Sequence, residues 1–369
     1  MLKKLVPLKP DPIMGLVQKF NKDTRKNKIN LTIGELYFNS NNEKKLMDYQ
    51  FIMKKIGGSF NNVNKTSKYL PITGCPNFIE NSEKFIFGNN MERHGVQTLS
   101  GTGSLTVGNH ILSLIEKPIY IQSTSWPNHF NIFQNHQKFY DIENLKYIPY
   151  NSVILFHTCC NNPTGIDYNS TSWNYLIDLI IDGKHIAFFD SAYLGLASGN
   201  NLIDSKPIQV FENNKIPYIV STSYAKNFGL YGHRIGSLFY DFYDEEYNSI
   251  MKQHVTKFIR TTYSNPPRIG AELASNLMED KNLMNSWKEL MKETIDNQME
   301  IRNILDNELG WSTSDKNGLF FMAPLNKEQT INLREKEGIY MLENGRINIS
   351  GLDINNIEKF IRKIKKYNV

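Results

Sequence analysis

The sequence has little cysteine, no long apolar run and no Cys/His spacing typical of a metal site. Its 3 cysteines are Cys75, Cys159 and Cys160. So small and odd a number excludes a disulfide framework and is typical of a reducing compartment, so we expect a cytoplasmic protein. The longest apolar runs, such as Val153–Phe156, are too short to cross a bilayer, and the basic start lacks the apolar segment of a secretory signal. We therefore expect no membrane span and no metal.

Positive charge is in slight excess but is not clustered. Lys and Arg number 42 against 37 Asp and Glu, a formal net charge of +5. These residues form no basic stripe of the kind that nucleic-acid binders carry, so we expect no nucleic-acid partner. A modest cationic excess suits small anionic ligands instead. A length of 369 residues is enough for roughly two domains.

What the sequence does contain is an alternation of short apolar strands with helices. Continuous apolar strands separated by helices are typical of a parallel sheet that is covered on both faces. A long amphipathic helix that ends near Leu309 precedes a smaller α/β segment at the end of the chain. The predicted strands are Ile29–Ile33, Pro118–Gln122, Ser152–His157, His185–Asp190 and Pro217–Thr222, and the other predicted helices are Ile13–Arg25, Ser104–Glu116, Ser170–Leu179 and Pro207–Glu212.

Chemically useful residues follow several of these strands, where ligands of parallel sheets bind. Asp190 ends one strand and Lys226 follows another, while Ser100-Gly101-Thr102-Gly103 opens a helix. Each feature alone is weak, because a lysine there is usually solvated and an aspartate usually caps a helix. Thr106 stands where a dinucleotide-binding G-x-G-x-x-G fingerprint needs its last glycine, which disfavours a nicotinamide dehydrogenase.

Taken together, these residues supply the groups needed to hold pyridoxal 5'-phosphate. The Lys226 amine can bond covalently to the aldehyde of the cofactor, and the Asp190 carboxylate can stabilise a protonated pyridine nitrogen. The helix opening at Ser100 and the guanidinium of Arg234 can neutralise the phosphate.

Over nearly the whole chain the sequence resembles the aspartate aminotransferases, within the class I pyridoxal-phosphate aminotransferases. The resemblance implies a large domain with a mostly parallel central sheet flanked by helices (PLP fold type I) and a smaller α/β domain built from both chain ends. It implies an arm over 1–12 that packs on a partner subunit, a small domain over 13–40 and 292–369, and a large cofactor-binding domain over 41–291. The matching blocks are Gln97–Leu105, Ser125–Phe133, His157–Gly165, Phe188–Gly199, Ser221–Gly236, Tyr263–Pro267 and Gly345–Gly351.

The resemblance also implies roles for single residues around the cofactor. Lys226 resembles the lysine that bonds to the cofactor and moves protons, and Asp190 resembles the partner of the pyridine nitrogen, with His129 behind it. Trp126 resembles the aromatic that stacks on the cofactor ring. Tyr193 and Asn162 resemble the residues that bond the phenolic oxygen of the cofactor, while the phosphate site would comprise Ser100, Gly101, Thr102, Ser223, Arg234 and, from the neighbouring subunit, Tyr69.

Substrate residues follow from the same resemblance. Arg346 resembles the arginine that binds the α-carboxylate, with Gly34, Trp126 and Asn162 also at the substrate. Arg260 resembles the arginine that the other subunit donates to the side-chain carboxylate of aspartate or glutamate. We therefore expect a homodimer with shared active sites that acts on dicarboxylic amino acids and 2-oxo acids, by a ping-pong mechanism.

Some positions depart from the family pattern, and other functions stay open. Glu35-Leu36-Tyr37 replaces a more typical Ala-Tyr-Arg at the substrate entrance, and His233 replaces an acidic residue before Arg234. An aromatic or broad-specificity aminotransferase on the same fold is the nearest alternative. A lyase or decarboxylase on the same cofactor is more distant, and the intact Lys226, Asp190 and Arg346 argue against a non-catalytic member of the family.

Overall fold

The computed structural model describes residues 11–40, 43–59, 66–134 and 137–367. Residues 1–10 of the arm predicted over 1–12 lie outside the described residues. The described helices are α1 (Pro12–Lys22), α2 (Tyr49–Lys55), α3 (Pro76–Phe87), α4 (Ser100–Ile115), α5 (Pro127–Ile132), α6 (Ser170–Asp182), α7 (Asn201–Asp204), α8 (Lys206–Asn213), α9 (Glu245–Thr262), α10 (Arg268–Glu279), α11 (Lys281–Leu309), α12 (Lys327–Asn332) and α13 (Ile357–Ile364). The described strands are β1 (Ile29–Asn30), β2 (Tyr37–Ser40), β3 (Glu43–Leu46), β4 (His94–Leu99), β5 (Ile119–Gln122), β6 (Gln137–Tyr140), β7 (Val153–His157), β8 (Ile186–Ser191), β9 (Tyr218–Ser223), β10 (Ile235–Asp241), β11 (Phe320–Met322), β12 (Ile339–Tyr340) and β13 (Arg346–Asn348).

The chain divides into two compact units, each with its own core. The large unit comprises Leu46–Asp296 with Lys316–Gly318. The small unit comprises the described residues up to Lys45, then Asn297–Asp315 and the described residues from Leu319 onward. The predicted boundaries between the small domain and the cofactor-binding domain, at 40/41 and 291/292, stay predictions. Among the described residues, no helix is both long and apolar enough to span a membrane.

A sheet of seven described strands forms the centre of the large unit, in the order β4-β10-β9-β8-β7-β5-β6. Strands β5 to β9 pair in parallel, whereas β10 pairs antiparallel with both β9 and β4. Every residue of β7, β8 and β9 is buried, as expected for strands covered on both faces. The prediction of a mostly parallel sheet flanked by helices is therefore confirmed.

The four strands of this sheet that the sequence predicted each begin one residue later in the structure, while β4, β6 and β10 were not predicted at all. Strands β4 and β10 both contain glycine, which disfavours a strand when the sequence is considered alone. In the structure a Cβ on Gly95 would lie 2.3 Å from the ring of Phe239, and one on Gly236 would lie 2.6 Å from the backbone of Ser100. These glycines therefore permit close packing.

The small unit is built on a separate apolar core around α13 and the last turns of α11. Its described strands pair in three short ladders: β1 with β12 in parallel, β11 with β13 antiparallel, and β2 with β3. Helix α1 begins at Pro12, since the Asp11 side chain accepts hydrogen bonds from the backbone N–H groups of Ile13 and Met14 at 3.0 and 2.8 Å. Leu305, Trp311, Ile347 and Phe360 are among the residues that fill the core.

Candidate active site

The carboxyl ends of β7, β8 and β9 bring three polar segments of the large unit to one edge of the sheet. Asp190 on β8 pairs in register with His157 on β7 and with Ser221 on β9. The loops that follow these strands carry Asn162, Tyr193 and Lys226. The polar side chains that could bind a ligand therefore lie at and just beyond the carboxyl ends of these apolar strands, as expected for a parallel sheet.

Asp190 is held by a relay of hydrogen bonds. Its Oδ2 atom lies 2.9 Å from Nε2 of His129, whose Nδ1 lies 2.8 Å from Oγ of Ser125. Burial by itself raises the pKa of Asp190, but the hydrogen bond from His129 and the neighbouring positive charges outweigh it, so the net shift is downward. Asp190 is therefore a buried carboxylate that stays ionised.

His157 completes this buried cluster. Its Nδ1 atom lies 3.1 Å from Nδ2 of Asn161, and its ring centroid is 5.2 Å from that of His129. Burial, with a smaller contribution from His129, lowers the pKa of His157 to about 4. Possible ligand atoms of His129, His157 and Asp190 lie within 4.8 Å of one another, but the His129–Asp190 hydrogen bond already uses one atom from each of that pair.

Lys226 lies in the loop after β9 beside Tyr193. Its Nζ atom is 5.3 Å from the centroid of the Tyr193 ring, whose hydroxyl accepts a hydrogen bond from Nδ2 of Asn162 at 3.4 Å. Removal from bulk water lowers the pKa of Lys226, the charge of Arg234 lowers it further, and Asp190 opposes part of the shift. The amine is therefore neutral more often than an exposed lysine, which favours its action as nucleophile and base.

Helix α4 offers its positive end to an anion. The helix begins at Ser100, and Leu99 at the N-cap position has no side-chain oxygen that could accept from the first N–H groups. The Oγ atoms of Ser100 and Ser223 lie 3.0 Å apart, and a Cβ on Gly101 would lie 3.1 Å from Cβ of Ser223. Thr102 follows in the same helical turn. First-turn N–H groups and two hydroxyl groups thus converge in one small space.

Two more predicted residues border this cluster. Trp126 stands just before Pro127, which begins α5, and its ring meets that of His129 edge-on at a centroid distance of 5.3 Å. Arg234 has a positive φ of 53°, and its exposed guanidinium donates to the carbonyl oxygen of Tyr231 at 3.0 Å. The structure therefore brings together, within the large unit, the predicted residues Ser100, Gly101, Thr102, Trp126, Asn162, Asp190, Tyr193, Ser223, Lys226 and Arg234.

Two predicted residues of the large unit lie on its surface. Tyr69 is 89% exposed. Arg260, near the end of α9, is also exposed, and its guanidinium donates to the hydroxyl of Ser264. Their exposure is compatible with the predicted service to a neighbouring subunit, which stays a prediction.

The small unit contains the remaining two predicted residues. Arg346 is only 1% exposed, donates from Nη2 to the carbonyl oxygen of Thr32 at 2.7 Å, and stacks on the ring of Phe320 at 4.4 Å. A Cβ on Gly34 would lie 3.0 Å from the same ring. Nδ2 of Asn348 donates to the carbonyl oxygens on both sides of Gly34, each at 2.7 Å. Phe320 and Asn348 thus fix the arginine and the glycine backbone within one unit.

Sequence reasoning assigned no role to several of these supporting residues. Ser125 lies four residues before His129 on the approach to a helix, a spacing that could have indicated their contact. Asn161 lies four residues after His157, a short spacing that could also have indicated their contact. Phe320 gave no such signal, because Gly34 and Arg346 come from distant positions of the sequence.

The comparisons with known proteins agree with this geometry. A family model for class I and II aminotransferases matches residues 26–364. The chain belongs to that family. Mitochondrial aspartate aminotransferase from Xenopus tropicalis is 33% identical over 93% of this chain and 87% of its own length. Among solved structures, a mitochondrial aspartate aminotransferase from Trypanosoma brucei is 30% identical with a TM-score of 0.87, covering 96% of this chain and 100% of that one. A broad-specificity aminotransferase from Leishmania mexicana is 29% identical with a TM-score of 0.89, covering 98% and 96%.

This aminotransferase is a pyridoxal-phosphate-dependent transferase, so the predictions of family, enzyme class and cofactor are confirmed. The cluster fits the cofactor chemically. Lys226 offers an amine of lowered pKa, Asp190 offers an ionised buried carboxylate, and the start of α4 offers N–H donors for a phosphate.

Proposed function

We propose that this aminotransferase moves the amino group of aspartate or glutamate to 2-oxo acids, with oxaloacetate and 2-oxoglutarate as the matching partners. The observation that carries the proposal is the Lys226–Asp190–His129 cluster, since it combines an amine of lowered pKa with a fixed, ionised carboxylate. The aspartate aminotransferases among the relatives support the choice of substrate.

Within the cluster each residue has a task that suits its surroundings. Asp190 would pair with the protonated pyridine nitrogen, and His129 would keep the carboxylate ionised and in place. The phenolic oxygen would be bound by Tyr193 and Asn162, and Trp126 would stack on the ring. The phosphate would be bound by Ser100, Gly101, Thr102, Ser223 and Arg234. Pyridoxal phosphate, when bound, withdraws electrons from the α-carbon of the substrate, so that its C–H bond becomes acidic.

Lys226 moves the proton that this acidity releases. The Nζ atom would be a base of lowered pKa next to Tyr193. It would accept the proton of the α-carbon and later return it, acting first as base and then as acid. Over the complete ping-pong cycle the amino group of the donor and the oxo oxygen of the acceptor change places, so no external oxidant or reductant is needed.

Two arginines give the substrate its orientation and its class. Arg346, already buried and stacked on Phe320, provides a rigid planar fork for the α-carboxylate, and Gly34 leaves bare backbone for the substrate to approach. Arg260 receives the side-chain carboxylate of the substrate. Its exposure on its own subunit supports a role at the site of a neighbour.

The assembly we propose is a homodimer with shared sites, to which Tyr69 and Arg260 are donated across the interface. Coexpression of differently tagged Lys226→Ala and Arg260→Ala chains tests this sharing. If Arg260 acts on the partner, a mixed dimer regains one site with both residues intact and is active, although each parent dimer is inactive. A mixed dimer as inactive as its parents would contradict the sharing. We further propose a reducing compartment such as the cytoplasm, because Cys75, Cys159 and Cys160 are all present as buried thiols rather than as disulfides.

A second candidate is an aromatic or broad-specificity aminotransferase. It is favoured by the broad-specificity relative from Leishmania mexicana and by the exposure of the Arg260 side chain, which leaves it room to rotate away from an uncharged substrate. Measuring kcat/KM for aspartate and for phenylalanine with the same 2-oxo acid separates the two candidates. A preference for phenylalanine would replace the dicarboxylate proposal.

The decisive experiment for the main proposal is a visible absorbance spectrum of the purified enzyme before and after adding aspartate without a 2-oxo acid. We expect a yellow band that is bleached by aspartate, with one oxaloacetate released per site, and is restored by 2-oxoglutarate. A band that aspartate leaves unchanged would overturn the proposal.

A further inference from the structure

A cavity of about 520 Å³ opens in the large unit beside α6 and α8. A volume of this size is typical of sites that bind small molecules. Among the described residues its lining includes none of Lys226, Asp190 and Arg234, so it is separate from the cofactor cluster.

One part of the cavity wall is apolar. Trp173 and Ile177 from α6 face Pro207 and Val210 from α8, and Trp173 is only 8% exposed although it lines the space. Ile203 also lines the cavity and is 61% exposed. An apolar or aromatic body that entered would cover this surface, which favours binding.

The same cavity is lined by two carboxylates. Burial raises the pKa of both Asp167 and Asp204, and hydrogen bonds from neighbouring groups limit the shift. The pKa of the Cys159 thiol, which also lines the cavity, is raised by its hydrogen bond with Cys160, by burial and then by both carboxylates. The exposed Lys206 forms no ion pair with either carboxylate in the described part of the chain.

Both carboxylates also brace loops that carry residues of the cofactor cluster. Asp167 accepts a hydrogen bond from the backbone N–H of Asn161 at 3.2 Å, one residue before Asn162. Asp204 accepts from the backbone N–H of Gly195 at 2.7 Å, two residues after Tyr193. Asn162 and Tyr193 are themselves hydrogen-bonded, so the cavity and the cofactor cluster share two loops.

We propose that this cavity is a binding site for a small organic cation, an ammonium group on an apolar or aromatic body, and that its occupancy acts on the Asn162–Tyr193 pair. The ammonium lies near Asp167 and Asp204, while the body packs on Trp173 and Val210. The binding site stands on the cavity alone, whereas its effect on turnover rests on the proposed roles of Asn162 and Tyr193.

Benzyltrimethylammonium is a suitable probe for the holoenzyme, because its quaternary nitrogen cannot form an imine with the cofactor. We expect millimolar binding by calorimetry, with benzyl alcohol and benzoate binding at least about fivefold more weakly, as expected for the loss of one partly solvated ion pair. Equal binding of all three probes, or no binding of the cation, would overturn the site.

Val210→Trp fills the cavity without touching the cofactor cluster, and Ile181→Trp makes a comparable change on the exposed surface of α6. We expect Val210→Trp to lose the probe while keeping aspartate turnover, and Ile181→Trp to keep both. If the probe binds Val210→Trp as tightly as the parent enzyme, it binds elsewhere and the proposed site is wrong. In the parent enzyme the probe should change kcat or KM for aspartate without competing with it. If the probe binds but leaves both constants unchanged, the proposed effect of the cavity on the Asn162–Tyr193 pair is wrong. The proposed aspartate aminotransferase activity would not be affected, because the absorbance experiment tests it separately.

Discussion

Nε2 of His129 lies 2.9 Å from Oδ2 of Asp190, and both side chains are buried. The contact fixes the direction of the carboxylate at the carboxyl end of β8 and keeps it charged in surroundings that would otherwise neutralise it. A negative charge of this kind, held without water, can stabilise a positive pyridine nitrogen more strongly than an exposed carboxylate could.

Asp190→Asn keeps the shape and one acceptor of this side chain but removes its charge. We expect kcat to fall by more than about 100-fold, which is the loss that removal of a fixed charge from such a site produces. Steady-state kinetics with the bound cofactor quantified will measure it. Asp178→Asn, on the exposed face of α6, is the matched control and should keep normal rates. Near-normal turnover of Asp190→Asn would remove Asp190 from the mechanism.

Lys226→Ala should abolish both turnover and the yellow absorbance of the purified enzyme, since it removes the amine that bonds to the cofactor and moves the proton. Lys215→Ala changes an exposed lysine of the same unit and should leave both unchanged. A Lys226→Ala protein with wild-type rates would show that another group carries the chemistry.

The buried His157 predicts a pH dependence of stability. Its pKa is about 4 in the folded protein, against about 6.5 in an unfolded chain, so between these values only the unfolded state takes up the proton. The free energy of unfolding should therefore fall by roughly 3 kcal/mol as the pH drops from 6.5 to 4, and this contribution should level off below that. Denaturant titrations across this range should show a flatter curve for His157→Gln. The exposed His254→Gln should retain the wild-type slope, and equal slopes for all three proteins would refute the assignment.

Arg260→Asp should invert the charge preference of the enzyme. We expect kcat/KM for aspartate to fall by at least about 100-fold, because a favourable ion pair becomes a repulsion, while a cationic amino acid becomes the better substrate. Lys215→Asp carries the same charge change elsewhere on the large unit and should not alter the order of substrates. An unchanged preference in Arg260→Asp would mean that the side-chain carboxylate binds another residue.

Gly236→Ala tests the packing beneath the phosphate site. The added Cβ would lie 2.5 Å from the carbonyl oxygen of Thr222 and 2.6 Å from the backbone of Ser100, so both segments must move. We expect a loss of about 1–3 kcal/mol in stability and weaker cofactor binding, measured by thermal unfolding and by cofactor titration. A Cβ on Gly232 would meet nothing within 4 Å, so Gly232→Ala should be close to neutral. Similar behaviour of the two variants would show that this contact is not tight.

The sequence allowed the buried strands of the large unit to be predicted to within one residue, because runs such as Val153–Phe156 are apolar at every position. It did not allow β4, β6 or β10 to be predicted. In β4 and β10 the reason is that Gly95 and Gly236 resemble strand breakers until their tight contacts are known. The residues of the cofactor cluster follow predicted strands or open a predicted helix, so their proximity was predictable. Among the supporting residues, Ser125 and Asn161 each lie four residues from the histidine that they contact, which is a usable signal. Phe320 was not predictable, because it contacts Arg346 from a distant part of the sequence.

The start of helix α4 also links the stability of the folded protein to the supply of its cofactor. Leu99 has no side-chain oxygen for the first N–H groups of the helix, and the phosphate of pyridoxal phosphate has the charge to bind them. The bound cofactor should therefore stabilise the folded protein, since any molecule that binds only the native form raises its population. The cellular level of this enzyme should therefore follow vitamin B6 status through protein turnover, even when gene expression is constant.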